Sequence, residues 1–106
     1  MAWVYLLLAG LLEVVWAAAM KQSEGFSRLG ASAVTLVATI ASFWLLALAM
    51  RTLPLGTSYT IWTGIGAVGA FIVGITMMGE VASVMRIAAA SLIVAGLVLM
   101  KLSSTT

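Results

Sequence analysis

From Leu29 to Met50 the chain carries no charged side chain, and from Thr57 to Met78 it again carries none. Runs of this length have no polar face to turn to water, and about 20 mostly apolar residues are what a helix needs to cross roughly 30 Å of hydrocarbon. Two more runs flank them, Trp3 to Met20 with a single acid inside and Val84 to Met100 with one arginine at its entry. Four spans, at about 3–20, 29–50, 57–78 and 84–100, use up most of the 106 residues, so the sequence predicts one all-α integral membrane domain over 1–106 and no room for a soluble one. Only 8% of residues are charged, whereas a soluble domain carries about a quarter.

The same composition excludes several functions. With no Cys and no His, the chain lacks disulfide chemistry and the usual soft-metal ligands, so neither a metal site nor a cofactor is expected. The net charge of +2 comes from five Lys/Arg and three acids spread along the whole chain, not from a patch that tracks phosphates; nucleic acid is not an expected partner. An enzyme is not expected either. The first apolar run resembles a secretory leader where it ends in Ala17, Ala18 and Ala19, but no Lys or Arg precedes it and Glu13 interrupts it.

Charges are costly at bilayer depth and so mark the loops. Lys21 to Arg28 closes the first span, Arg51 with the lone proline, Pro54, closes the second, and Gly79 and Glu80 close the third. Arg86 enters the fourth span, where its long stem can snorkel to the surface. Short loops imply an up-down bundle with both termini on one side. That side holds Arg51, Lys101 and the α-amino group; the other holds Lys21, Arg28 and Arg86. Lys and Arg therefore hardly favour either orientation. A small residual bias fixing one orientation is one reading. The other is dual topology, in which copies insert both ways and pair as an antiparallel homodimer with its two-fold axis in the membrane plane, as inverted repeats do within one chain.

Glu13 lies ten residues after Trp3, about 15 Å into the first span at 1.5 Å per residue. Intramembrane acids mark ion or substrate pathways, although a neutral, hydrogen-bonded Glu can also bind helices together. Gly10, Glu13, Trp16 and Ala17 share a helix face, and on the third helix Tyr59, Trp62, Gly66 and Gly69 share another. The phenol and indole groups need partners in lipid. Ser42, midway along the second span, can donate to the carboxylate or to a carbonyl of its own helix. Gly64 and Gly66 serve either close packing or a hinge, and Gly66, Ala70 and Gly74 recur every four positions. In the fourth span, Ala89, Leu92, Ile93 and Gly96 suit a tight helix pair, at a dimer contact or within one subunit.

The segment Gly10-Leu11-Leu12-Glu13-Val14-Val15-Trp16, the loop Gly25-Phe26-Ser27-Arg28-Leu29 and the segment Trp62-Thr63-Gly64-Ile65-Gly66-Ala67 resemble, in order, the signatures of the small multidrug resistance transporters. Gly10, Trp16, Ser42 and Lys101 resemble the guanidinium-exporting subtype of that family. The resemblance implies an antiparallel homodimer of four-helix subunits in the bacterial inner membrane, exchanging protons for a small organic cation. It makes Glu13 the shared proton and substrate ligand, Ser42 and Trp62 the hydrogen-bond partners that orient it, Tyr59 a gating residue and Trp16 a pocket wall. Gly64 to Gly66 becomes the bend and helix 4 the dimer contact. Ser58 and Thr60 depart from the alanines common beside that tyrosine, a difference that bears on hydrogen bonding near the portal and on substrate range.

A guanidinium ion keeps its charge at biological pH and meets a carboxylate through a planar fork of N–H donors. Protons and substrate would compete for Glu13, and coupling would follow if the bare pair of carboxylates does not reorient. Trp16 and Trp62 can also stack on larger cations, so a quaternary ammonium or polyamine exporter is the alternative substrate class. A pore-forming or non-transporting assembly subunit, with Glu13 serving only packing, is the alternative of a different kind.

Overall fold

The structure is a computed structural model and describes residues 1–103. Four helices follow one another: α1 (Ala2–Gln22), α2 (Leu29–Ala49), α3 (Leu55–Met77) and α4 (Val84–Ser103). Each is long and apolar enough to cross a membrane, so the expected all-α architecture with four spans is what the chain adopts. The chain forms a slab, 43 × 34 × 16 Å in its Cα extents. Packing is uneven: α1 lies against both α2 and α3, whereas α4 leans on α3 alone among the helix pairs.

Local chemistry sets the ends. At the first loop Ser23 is fully buried; its Oγ donates to the Met20 carbonyl (2.7 Å) and accepts from the Phe26 N–H (3.0 Å). Around that anchor Glu24, Gly25 and Phe26 all take left-handed backbone, and Arg28 pairs with Glu24 at 3.0 Å. Helix α1 continues past the apolar run to Gln22, which places Lys21 in the last turn, where a cation complements the helix dipole. Helix α3 begins at Leu55, two residues before the apolar run was expected to start. Pro54 occupies the N-cap with extended backbone, a position where its missing N–H costs no hydrogen bond. Helix α4 starts where its apolar run does, with Ser83 Oγ accepting from the Arg86 N–H at 3.2 Å. It runs on to Ser103.

The buried core is small and lies toward the end of the slab that carries the Arg51 loop. Leu6 and Ala9 of α1, Leu46 and Ala49 of α2, Leu53 of the loop, and Ile61 and Trp62 of α3 form it. No residue of α4 is buried. Its far end reaches back to α1 where Lys101 Nζ sits 4.3 Å above the Trp3 ring.

Candidate functional site

Glu13 sits midway along α1 and faces α3. A Cβ on Gly66 would fall on the Glu13 carboxylate, at its Oε1. The bare glycine is thus the seat of the acid. Neighbouring positions follow the same logic: a Cβ on Gly10 would come within 2.6 Å of Ile65 Cγ2, and one on Gly69 would strike Val14. Glycines at these contacts bring the backbones of α1 and α3 close together, with Glu13 in the seam. Gly64 plays the equivalent part toward α4, lying beneath the Leu97 side chain. Helix α3 is continuous through Gly64 and Gly66 in this conformation.

One helical turn before the acid, three helices are joined by side-chain hydrogen bonds. The Trp62 Nε1–H donates to Ser42 Oγ (3.0 Å), and the Ser42 hydroxyl donates to the Ala9 carbonyl (2.7 Å). Both Trp62 and Ser42 are buried, Ser42 fully. Phe43 and Tyr59 each meet the Trp62 ring edge-on at 5.5 Å. Ser42 therefore neither caps the carboxylate nor bonds within its own helix. It binds the carbonyl four residues before Glu13, the one that helical geometry pairs with the Glu13 N–H.

Polar atoms remain to be satisfied around this junction. Glu13 Oε1, the Trp16 indole nitrogen and Ser58 Oγ are buried without a hydrogen-bond partner. An acceptor and a donor three residues apart on α1 lie on one face of that helix. A buried polar atom without a partner costs free energy in a folded chain, and the site is thus suited to a ligand that carries both charge and hydrogen bonds. The other expected residues divide clearly. Gly10, Glu13, Ser42, Trp62, Gly64 and Gly66 lie along the contacts of α1 with α2 and α3, or of α3 with α4. Tyr59 is 54% exposed and lines an apolar cleft of about 520 Å³ between α3 and α4, together with Ile93 and Gly96. Ala89, Leu92, Ile93 and Gly96 are all exposed, and nothing lies within 4 Å of a Cβ added at Gly96. The sequence reading missed the Ala9 carbonyl and the two residues packed on the junction, Phe43 and Ile65. A backbone acceptor has no signature in residue types, and both side chains read as ordinary apolar lining.

Four apolar spans, one of them carrying a carboxylate midway along it, define a multi-pass membrane protein. The family model for Small Multidrug Resistance protein matches residues 1–93, and the chain belongs to that family. It is 58% identical over 104 residues to the guanidinium exporter of Yersinia pseudotuberculosis, covering 98% of this chain and 100% of that protein. The guanidinium exporter of Escherichia coli K12 is 56% identical over 104 residues, with 98% and 99% covered, and that of Salmonella typhimurium is 57% identical over the same length and shares. With its four spans, the family places the chain in the bacterial inner membrane as a multi-pass transport protein.

Proposed function

We propose that this chain exports guanidinium and small guanidinyl cations across the inner membrane in exchange for protons, by alternating access in an antiparallel, dual-topology homodimer. The observation that carries the reading is the Glu13 carboxylate, seated on Gly66 at mid-membrane with a buried oxygen that no protein donor meets. Relatives that align over nearly the whole chain are named for guanidinium export, which supports the substrate class. Balanced Lys and Arg across the loops support the two orientations.

In this mechanism Glu13 of each subunit holds either a proton or the cation. A planar guanidinium offers the carboxylate two parallel N–H donors, and Trp16 forms a wall of the pocket. The Trp62–Ser42–Ala9 bonds fix the turn of α1 from which the acid projects. Tyr59 gates the opening, Gly64 to Gly66 is the bend between the two conformations, and Ala89, Leu92, Ile93 and Gly96 of α4 make the dimer contact. Burying two bare carboxylates is costly, so the site crosses either protonated or with its charge met by substrate. That exclusion couples the two fluxes.

Purified protein in liposomes should move protons when guanidinium is added on one side, more strongly than when a tetraalkylammonium is added. Glu13→Gln should remove the signal. Normal transport by that variant would overturn the proposal, and a larger response to tetraalkylammonium would favour the multidrug substrate class. In intact cells a cysteine placed at the exposed Gln22 should label from both faces of the membrane; one-sided labelling would end the dual-topology part.

A further inference from the structure

The loop between α3 and α4 carries an acid that the mechanism above leaves unused. Gly79 turns the chain with φ at +71°, and the Glu80 N–H then donates back to the Gly74 carbonyl at 3.0 Å. The side chain follows. A Cβ on the buried Gly74 would lie 2.7 Å from Glu80 Cδ and 2.8 Å from both carboxylate oxygens. The acid has the freedom of an exposed loop residue, yet it is folded back onto the helix it has just left.

There it stands over two grooves. One, of about 130 Å³, runs between α1 and α3 and is lined by Ala17, Ala18, Lys21, Ala70, Val73 and Met78 along with Glu80. Ala17 is one helical turn beyond Glu13, and Ala70 is one turn beyond Gly66, on which the Glu13 carboxylate rests. The groove therefore leads from Glu80 at the membrane edge to within a turn of the central acid, walled by alanines that leave it open. The second groove, about 270 Å³, lies between α3 and α4 and holds Arg86 as well. Among the described residues, the one ion pair is Arg28 with Glu24; Glu80 lies within 4 Å of no cationic group, and the Arg86 guanidinium instead donates to the Val81 carbonyl at 3.3 Å.

We infer that Glu80 is an outer binding site for the same class of substrate, a small guanidinium cation, held at the mouth of the α1–α3 groove before it passes to Glu13. The inference rests on the export reading. The carboxylate is held in place by the Gly74 seat, is not paired by protein cations, and stands at the loop end of the α1–α3 groove. Arg86 lines the second groove with it, but its guanidinium is engaged by the Val81 carbonyl. In a dual-topology dimer one such mouth faces each side of the membrane.

Lys21 and Arg86 line the same two grooves, so the attraction at Glu80 is a local carboxylate–guanidinium contact rather than a field over the mouth, and salt screens such an exposed pair. In liposomes, Glu80→Gln should raise the KM for guanidinium about twofold to fivefold at low ionic strength, the size of one exposed ion pair, with maximal rate within about twofold of wild type. The KM gap between the two proteins should close as salt is raised. Gly74→Ala keeps the charge but removes the seat, and should raise KM in the same direction. Arg86→Gln should lower KM more in wild type than in the Glu80→Gln background, a sign pattern that general damage to the loop does not produce. An unchanged KM in Glu80→Gln at low salt, or a loss confined to maximal rate, overturns the outer site while leaving export by Glu13 intact. If wild-type protein itself moves no protons with guanidinium, the export reading fails first and the outer site with it.

Discussion

The junction of α1, α2 and α3 and the length of α4 are made of the same kinds of residue, and they end in opposite conditions. At the junction, Ser42 is fully buried and spends its hydroxyl on a neighbouring helix, while glycines bring backbones into contact. Along α4 no residue is buried, Leu92 is 73% exposed, and Gly96 faces open space. In lipid, apolar exposure carries no penalty of the kind water imposes, so burial alone does not drive α4 to a partner. The difference lies in close-packing potential already used and not yet used. Of the four helices, only the first three bury residues against one another. The fourth keeps its small residues free, which fits the dimer contact proposed for it.

The largest effect should come from the packed side. Gly66→Ala places a methyl group where the Glu13 carboxylate rests, and the acid, as the far end of a flexible side chain, can swing away at little cost to folding. Misplacing a reacting group by about 1 Å can cost ~100-fold in rate. Guanidinium-driven proton flux should fall by about that much while thermal unfolding in detergent shifts only slightly. Gly10→Ala is the contrast, because its methyl group would meet Ile65 at Cβ as well as Cγ2, close to the backbone. Overpacking of that kind costs about 1–3 kcal/mol, so unfolding should shift plainly. Equal shifts for the two variants would show that the seam between α1 and α3 has no special seat for the acid.

On the open side, a Cβ added at Gly96 has nothing within 4 Å of it, so the helical content of Gly96→Leu should match wild type. If α4 is the dimer contact, the added side chain separates two close-packed helices, and dimerisation measured by energy transfer between labelled subunits in bilayers should weaken by about tenfold, equivalent to ~1.4 kcal/mol. Undiminished dimerisation would move the interface elsewhere and remove the contrast drawn above.

What the sequence made legible follows from which physics acts locally. Charges are expelled from hydrocarbon, so Arg28, Arg51 and Glu80 marked the loops, and the one acid left inside a span stood out as Glu13. Helix spacing put Tyr59 and Trp62 on one face, and their rings do meet edge-on. The partner of Ser42 was not legible. Donation to Ala9 depends on which carbonyl α1 presents to α2, a matter of axial register that no residue type encodes. The same holds for Gly66: a glycine in a span reads as packing or as a bend, and only the neighbour on α1 shows that it seats a carboxylate. The return of Glu80 onto Gly74 was hidden for a related reason, since a loop acid next to a glycine ordinarily points to water.

The smallest expected effect tests how independent α4 is. Lys101 places its ammonium 4.3 Å over the Trp3 ring and so ties the end of α4 to the start of α1, next to Leu97 and Met100 on the edge of the core. A cation over an indole contributes about 0.5–1 kcal/mol at an exposed site. Lys101→Gln removes the charge and keeps most of the stem, so it should loosen α4 by an amount of that order without touching the α1–α3 seam. Hydrogen exchange should quicken in the last turns of α4 and remain unchanged at Glu13 and Trp62. If exchange quickens equally at both places, α4 is bound into the same cooperative unit as the junction, and the subunit is one body rather than three packed helices with a fourth held in reserve.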